Sequence, residues 1–266
     1  MPDVSEIISR FIDEMKYLEN EHVLGCFFCG SFLTGYNHKN SDIDLQIVFD
    51  NSDPKHLIRG NHHINGIKIE YFEKPIDDIY LSIENEYQHQ NNALLSIIGT
   101  SKIIFDKTIT KELQKLQQYT LTKFSSPLPP LETEEAREYV SILNNRMEKL
   151  EKAALDDSPY FYHLYHLTLE KIRKFYHQLN GMPSVQTSKV FRVYTDEKYR
   201  EIFYKDNIPE DEFISMYLDA ICDNSLDKNN KLEKVKQLFG YAKRNVDLNE
   251  DSYRILIKSR NIAPKK

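Results

Sequence analysis

Between Ser41 and Phe49 the chain alternates without a break. Asp42, Asp44, Gln46 and Val48 fall on one side of an extended segment, and Ile43, Leu45, Ile47 and Phe49 fall on the other. Such a stretch fits a strand whose apolar face packs on a core and whose other face stays open. Residues two apart on a strand point the same way, so the pattern sets two carboxylates side by side on that open face. A purely helical chain is thereby excluded, and the crowded negative charge calls for a compensating cation.

The neighbouring segments supply partners for this strand. Val4 to Leu18 carries apolar residues at 4, 7, 8, 11, 12, 15 and 18, the spacing of one helix face. Val23 to Cys29 is an apolar run that Gly30 and Ser31 break. Asn65-Gly66 lies between His62 to Ile64 and Ile67 to Phe72, a strong hairpin signal. A helix is expected from Pro75 into the Gln88 to Asn92 region, and a last short strand from Lys102 to Phe105. These elements predict a small mixed β-sheet with helices.

Past Leu113 the composition changes, and Ser125-Ser126-Pro127-Leu128-Pro129-Pro130 reads as a linker. Helical patterns follow at Thr133 to Leu155, Tyr160 to Leu179, Thr195 to Tyr204, Pro209 to Cys222 and Leu226 to Lys243. Asn180-Gly181-Met182-Pro183 carries the Gly and Pro of a helix stop. The fold class expected is therefore α+β: a mixed-sheet domain over residues 1–124 and an all-α bundle over residues 131–266.

Charge narrows the partners. The 266 residues hold 35 Lys plus Arg against 41 Asp plus Glu, a net charge of −6, which argues against an extended nucleic-acid partner. No run reaches the ~18 to 20 apolar residues of a membrane helix, and Met1 to Arg10 has acids and no apolar stretch, so neither membrane insertion nor export is expected. The cysteine count, 3, is odd, and a cytoplasmic location without a disulfide framework follows as the expectation. Cys26 and Cys29 spell C-x-x-C, but positions three apart on a strand point to opposite faces, so the two thiols are expected to stay apart as buried apolar groups.

The chemistry concentrates around the alternating strand. Gly30-Ser31 offers a bare backbone turn with a hydroxyl, suited to a phosphate. Asp42 and Asp44 suit one or two divalent cations bound through oxygen. Glu70 shares a face with Lys68 and Phe72 on a later strand and is expected to converge on the same metals, whereas Glu73 has the opposite parity and is the weaker candidate. Phosphate grip, metals and a third acid together describe in-line attack on a nucleotide phosphorus. A glycosyltransferase-type Asp-x-Asp would bind metal too, but leaves unexplained a Gly-Ser turn only 12 residues ahead of Asp42.

The order Gly30-Ser31-Phe32-Leu33-Thr34-Gly35, then Ser41-Asp42-Ile43-Asp44-Leu45, then Glu70 resembles the nucleotidyltransferase superfamily of DNA polymerase beta. The likeness covers about the first 110 residues and looks most like the kanamycin-type and minimal nucleotidyltransferases. The resemblance implies that Ser31 in its Gly30 turn binds the triphosphate. It implies that Asp42 and Asp44 hold Mg²⁺, and that Glu70 holds the catalytic metal or deprotonates the acceptor. Minimal members often have Arg where this chain has Thr34, a departure that weakens the antitoxin-like branch most.

Ser41 and Lys174 complete the expected nucleotide-binding set. Lys174 falls on a polar face of the 160–179 helix with His163, His166, Glu170 and His177, opposite an apolar stripe of Leu164, Leu167, Ile172, Phe175 and Leu179. Such a face is either the solvated side of a core helix or, in the kanamycin-type layout that the chain resembles, the side that closes over the triphosphate. The expected activity is transfer of AMP from ATP to a hydroxyl of a small-molecule acceptor. An acidic surface would suit a cationic acceptor such as an aminoglycoside. The competing expectations are a regulatory enzyme acting on a protein or tRNA, and a nucleotide-binding module without transfer.

Overall fold

The computed structural model describes residues 3–53, 55–205 and 207–247. The chain divides into two compact units, one of Met1–Pro129 with Gly181–Ile208 and one of Pro130–Asn180 with Pro209–Lys266. A single boundary after residue 124 is therefore too simple, because the segment after the expected helix stop belongs with the sheet-bearing unit.

The first unit begins with α1, Val4–Glu14, capped by the Asp3 carboxylate, which accepts from the Ser5 N–H. The helix ends earlier than the apolar spacing suggested, because Lys16 adopts a left-handed conformation. Tyr17 still packs into the core beyond it, while Leu18 is exposed. There follow β1 (Val23–Cys29), the short helix α2 (Ser31–Thr34), β2 (Ile43–Phe49), β3 (Ile58–Ile64) and β4 (Ile67–Pro75). Next come α3 (Ile76–Gln88), α4 (Ala93–Gly99), β5 (Lys102–Asp106) and α5 (Glu112–Phe124). Asn65 and Gly66 both take positive φ, the two-residue turn that matches strand twist, and join β3 to β4.

The five strands form one mixed sheet in the order β3-β4-β2-β1-β5, with β2 and β4 parallel and the other pairs antiparallel. Ile43, Leu45, Ile47 and Phe49 pack against Ile7, Ile8, Phe11 and Ile12 of α1, as their alternation requires. The opposite face is less open than that alternation suggested. Val48 is buried with Ile79, Ile83, Leu95, Ile98, Leu113 and Leu116 of α3, α4 and α5. Gln46 is buried too, its amide donating to the Ile47 and Phe72 carbonyls. Only the start of β2, at Asp44, remains open. Cys26 and Cys29 are free, buried thiols that fall in the two separate clusters.

Gly181–Ile208 contributes a 3₁₀ turn (Thr187–Lys189), α8 (Val190–Thr195) and α9 (Glu197–Tyr204) to this unit. Hydrogen bonds tie it down: Ser184 N to Gln90 O at 2.8 Å, Asn92 Nδ2 to Phe203 O at 2.9 Å, and Tyr36 OH to Asp196 Oδ1 at 2.9 Å.

The second unit is helical: α6 (Thr133–Leu155), α7 (Phe161–Leu179), α10 (Asp211–Ile221) and α11 (Lys228–Ala242). The buried face of α7 is rotated from the expected stripe. Tyr165, Leu169, Ile172 and Tyr176 are buried together with Arg173 and His177, whereas Leu167 is exposed and Leu164 and Leu179 only half-buried. Aromatic bulk decides this: Tyr176 stacks flat on Phe213 at 3.8 Å between ring centroids. Among the described residues no helix is long and apolar enough to cross a membrane.

Candidate active site

Strand register assembles the acids. Across the β1–β2 pair Cys29 lies opposite Asp44, so the turn that follows β1 passes directly beside Asp44. Gly30 occupies that turn at φ 82°, ψ −163°, and a Cβ there would run into the Asp44 carboxylate. Glycine is required at this point for close approach. Across the parallel β2–β4 pair Asp44 lies opposite Glu70. Asp42 precedes β2 by one residue. The outcome is three half-buried carboxylates, Asp42, Asp44 and Glu70, each offering an oxygen within 4.8 Å of the others.

The electrostatics of this group suit a cation. Burial, and then the charges of Asp42 and Glu70, push the Asp44 carboxyl up to about 7, against a smaller opposing pull from Lys68 and Lys189. The two outer acids each have a cationic neighbour. Lys68 Nζ stands 3.1 Å from Asp42 Oδ2, and Arg59 donates from Nε to Glu70 Oε1 at 2.8 Å and from Nη2 to the same oxygen. A set of hard carboxylate oxygens this close, with its central member held partly protonated by burial and crowding, fits Mg²⁺ or another oxygen-seeking divalent ion.

The acids Asp42 and Asp44 line a cavity of about 770 Å³ within the first unit, together with Gly30, Ser31 and Ser41. Its floor continues along the sheet through Gln46, Phe72 and Lys74. Lys189 and Arg192 join the lining from the Gly181–Ile208 segment, Arg192 lying over the rings of Tyr36 and Tyr199. The Ser41 hydroxyl also closes its own loop, accepting from the His38 N–H at 2.8 Å. Thr34 returns its hydroxyl to the Gly30 and Ser31 carbonyls, so at this position the chain stiffens the turn where minimal members of the superfamily often carry a cation.

Glu73, the alternative third acid, lies elsewhere. It is 5 % exposed, accepts from Tyr17 OH at 2.6 Å and bonds His56 Nε2 at 2.6 Å. Lys174 belongs to the second unit, where Nζ pairs with Glu170 at 2.8 Å. Lys189, Arg192 and Arg59 were not anticipated. The first two sit in a stretch without amphipathic signal that reaches the sheet only by tertiary docking. Arg59 could have been found by extending the hairpin, since parity places it on the face of Glu70.

Residues 8–116 match the family model of the nucleotidyltransferase domain. That stretch, which holds Gly30, Ser31 and the three acids, is a nucleotidyltransferase domain. Among solved structures, a nucleotidyltransferase-like protein from Exiguobacterium sibiricum 255-15 is similar at 11 % identity and a TM-score of 0.49, over 91 % of this chain and 75 % of that one. No curated protein matches the sequence.

Proposed function

We propose that this enzyme transfers AMP from ATP to a hydroxyl of a small polar molecule. The observation that carries the reading is the convergence of Asp42, Asp44 and Glu70, the first two of which line a cavity together with Gly30 and Ser31. Divalent metal held by the three acids would neutralise the α-phosphoryl oxygens and acidify the attacking hydroxyl. In the reaction the acceptor oxygen bonds to the α-phosphorus, the bond from that phosphorus to the bridging oxygen breaks, and pyrophosphate leaves. Glu70, on the strand beside the Asp pair, receives the acceptor's proton. Ser31 with its turn, and Lys189 and Arg192 across the cavity, supply donors and positive charge for the triphosphate.

The lining also bears on the acceptor. With Asp42 and Asp44 engaged on cations, the carboxylate left in the lining is Glu86, against Lys74, Lys189 and Arg192. Glu86 is itself occupied, accepting from the Leu94 and Leu95 N–H groups. An aminoglycoside-like acceptor thus rests on the overall charge of −6, and a neutral hydroxylated acceptor suits the cavity better. The test is incubation of the protein with α-labelled ATP, Mg²⁺ and a small-molecule extract. Label in a small product, with pyrophosphate released in equal amount, is the expected result. Label confined to protein or tRNA, or none anywhere, overturns the proposal.

A further inference from the structure

We propose that Arg59 is the positioning residue for the metal-holding carboxylate of Glu70 and so sets how tightly the three acids bind a divalent cation. This rests on the reading of Asp42, Asp44 and Glu70 as a cation site. Arg59 stands on β3, one of the two edge strands of the sheet, directly opposite Phe72, while Asn61 is opposite Glu70. Its side chain therefore reaches Glu70 along the diagonal of the antiparallel pair, a distance long side chains span.

The contact is made in a particular way. Both guanidinium donors fall on one oxygen, Oε1, which leaves Oε2 free of Arg59 for a metal. The guanidinium also lies over the Phe72 ring, 5.1 Å from its centroid, so the fork is held in place before it meets the carboxylate. An ordinary surface ion pair orients little, because two mobile chains must be immobilised for a small gain. Here Glu70 has only 15 % of its side chain exposed and Arg59 rests on a ring, so much of that cost is already met by the fold. Lys68 gives Asp42 a single point charge and no comparable fork.

Two consequences of removing Arg59 have opposite signs, and this makes the role testable. As a mere neighbouring charge, Arg59 repels a divalent cation, and its loss tightens metal binding. As the group that orients a ligand carboxylate, its loss weakens binding, as with the outer partners of other metal ligands.

The experiment is a calorimetric titration of Mn²⁺ into the wild-type protein, R59A, R59K and D44N, each checked by thermal melting. Arg59 has 68 % of its side chain exposed, so both Arg59 variants are expected to fold. The expected result is binding at least about tenfold weaker in R59A, the lower end of the usual range for such partners. R59K should fall between R59A and wild type, since it keeps the charge and loses the fork and the ring contact. Unchanged or tighter Mn²⁺ binding in R59A overturns the positioning role. Failure of the underlying site reading looks different: either wild type takes up no Mn²⁺, or D44N binds it as wild type does.

Discussion

The carboxylate of Asp44 fills the space in which a side chain on Gly30 would begin. The glycine of the Gly-Ser turn is therefore tied to the first acid of β2 by packing as well as by backbone conformation, since its φ of 82° with ψ −163° suits glycine almost alone. Gly30→Ala should cost about 1 to 3 kcal/mol in stability from the backbone alone. It should also displace Asp44 and abolish the rise in melting temperature expected of the wild type with Mg²⁺ and ATP. A variant that melts as wild type and keeps this rise would mean that the turn relaxes freely.

Asp44 makes the metal-free protein pH-dependent in a direction opposite to that of an ordinary paired acid. Its carboxyl is pushed from 3.8 to about 7 in the native state by burial and by Asp42 and Glu70. Between those values the native state holds a proton that the unfolded chain has lost, so stability falls as pH rises from about 4 to 7 and then levels off. At about 1.4 kcal/mol per unit the full effect is a few kcal/mol. Urea melts in EDTA at pH 5 and pH 8 measure it. Asp44→Asn should be more stable than wild type at pH 8 without metal and lose that advantage when Mg²⁺ is added. A wild-type stability flat across this window would count against the crowding.

Much of this site could be read from residue order, and the reasons are local. Strand parity set Asp42 beside Asp44 and separated Glu70 from Glu73, because side-chain direction on a strand alternates whatever the fold around it, and the β2–β4 register then brings Glu70 opposite Asp44. The buried far end of the same strand could not be read this way. Gln46 and Val48 look solvent-facing in sequence yet are buried, and the burial of Val48 depends on α3 to α5, whose docking leaves no trace in the 41–49 segment. Lys189 and Arg192 were hidden for a similar reason, since their segment joins the sheet-bearing unit through bonds such as Asn92 to Phe203, 111 residues apart.

Glu73 offers a control for the parity argument. It is buried and bonded to Tyr17 and His56 at 2.6 Å each, so Glu73→Ala leaves the buried Tyr17 hydroxyl and the half-buried His56 ring short of a partner. A loss of about 3 kcal/mol in stability is expected from this. Because Glu73 points away from the acids, Mn²⁺ affinity of the folded fraction should not change. Weakened metal binding at full stability would reverse the assignment of the two glutamates.

Glu70→Gln completes the comparison. The substitution keeps the side chain's shape, one carbonyl oxygen and its place opposite Asp44, and removes the charge and the basicity. If Glu70 takes the acceptor's proton, the turnover rate should drop by about 10² to 10⁴, the usual cost of losing a positioned base. Weakened metal binding would deepen that loss. Nucleotide affinity should suffer less than in Asp42→Asn or Asp44→Asn, since those two residues stand beside the Gly30-Ser31 turn in the cavity lining and serve binding as well as chemistry. The measurements are ATP binding by calorimetry and single-turnover transfer on the same preparations. Arg59 sharpens the reading: in Glu70→Gln its guanidinium faces a neutral amide, so a further Arg59→Ala change should add little to the loss of metal affinity. Near-normal transfer by Glu70→Gln would remove Glu70 from the chemistry and leave the acceptor's proton to solvent or to another acid of the protein.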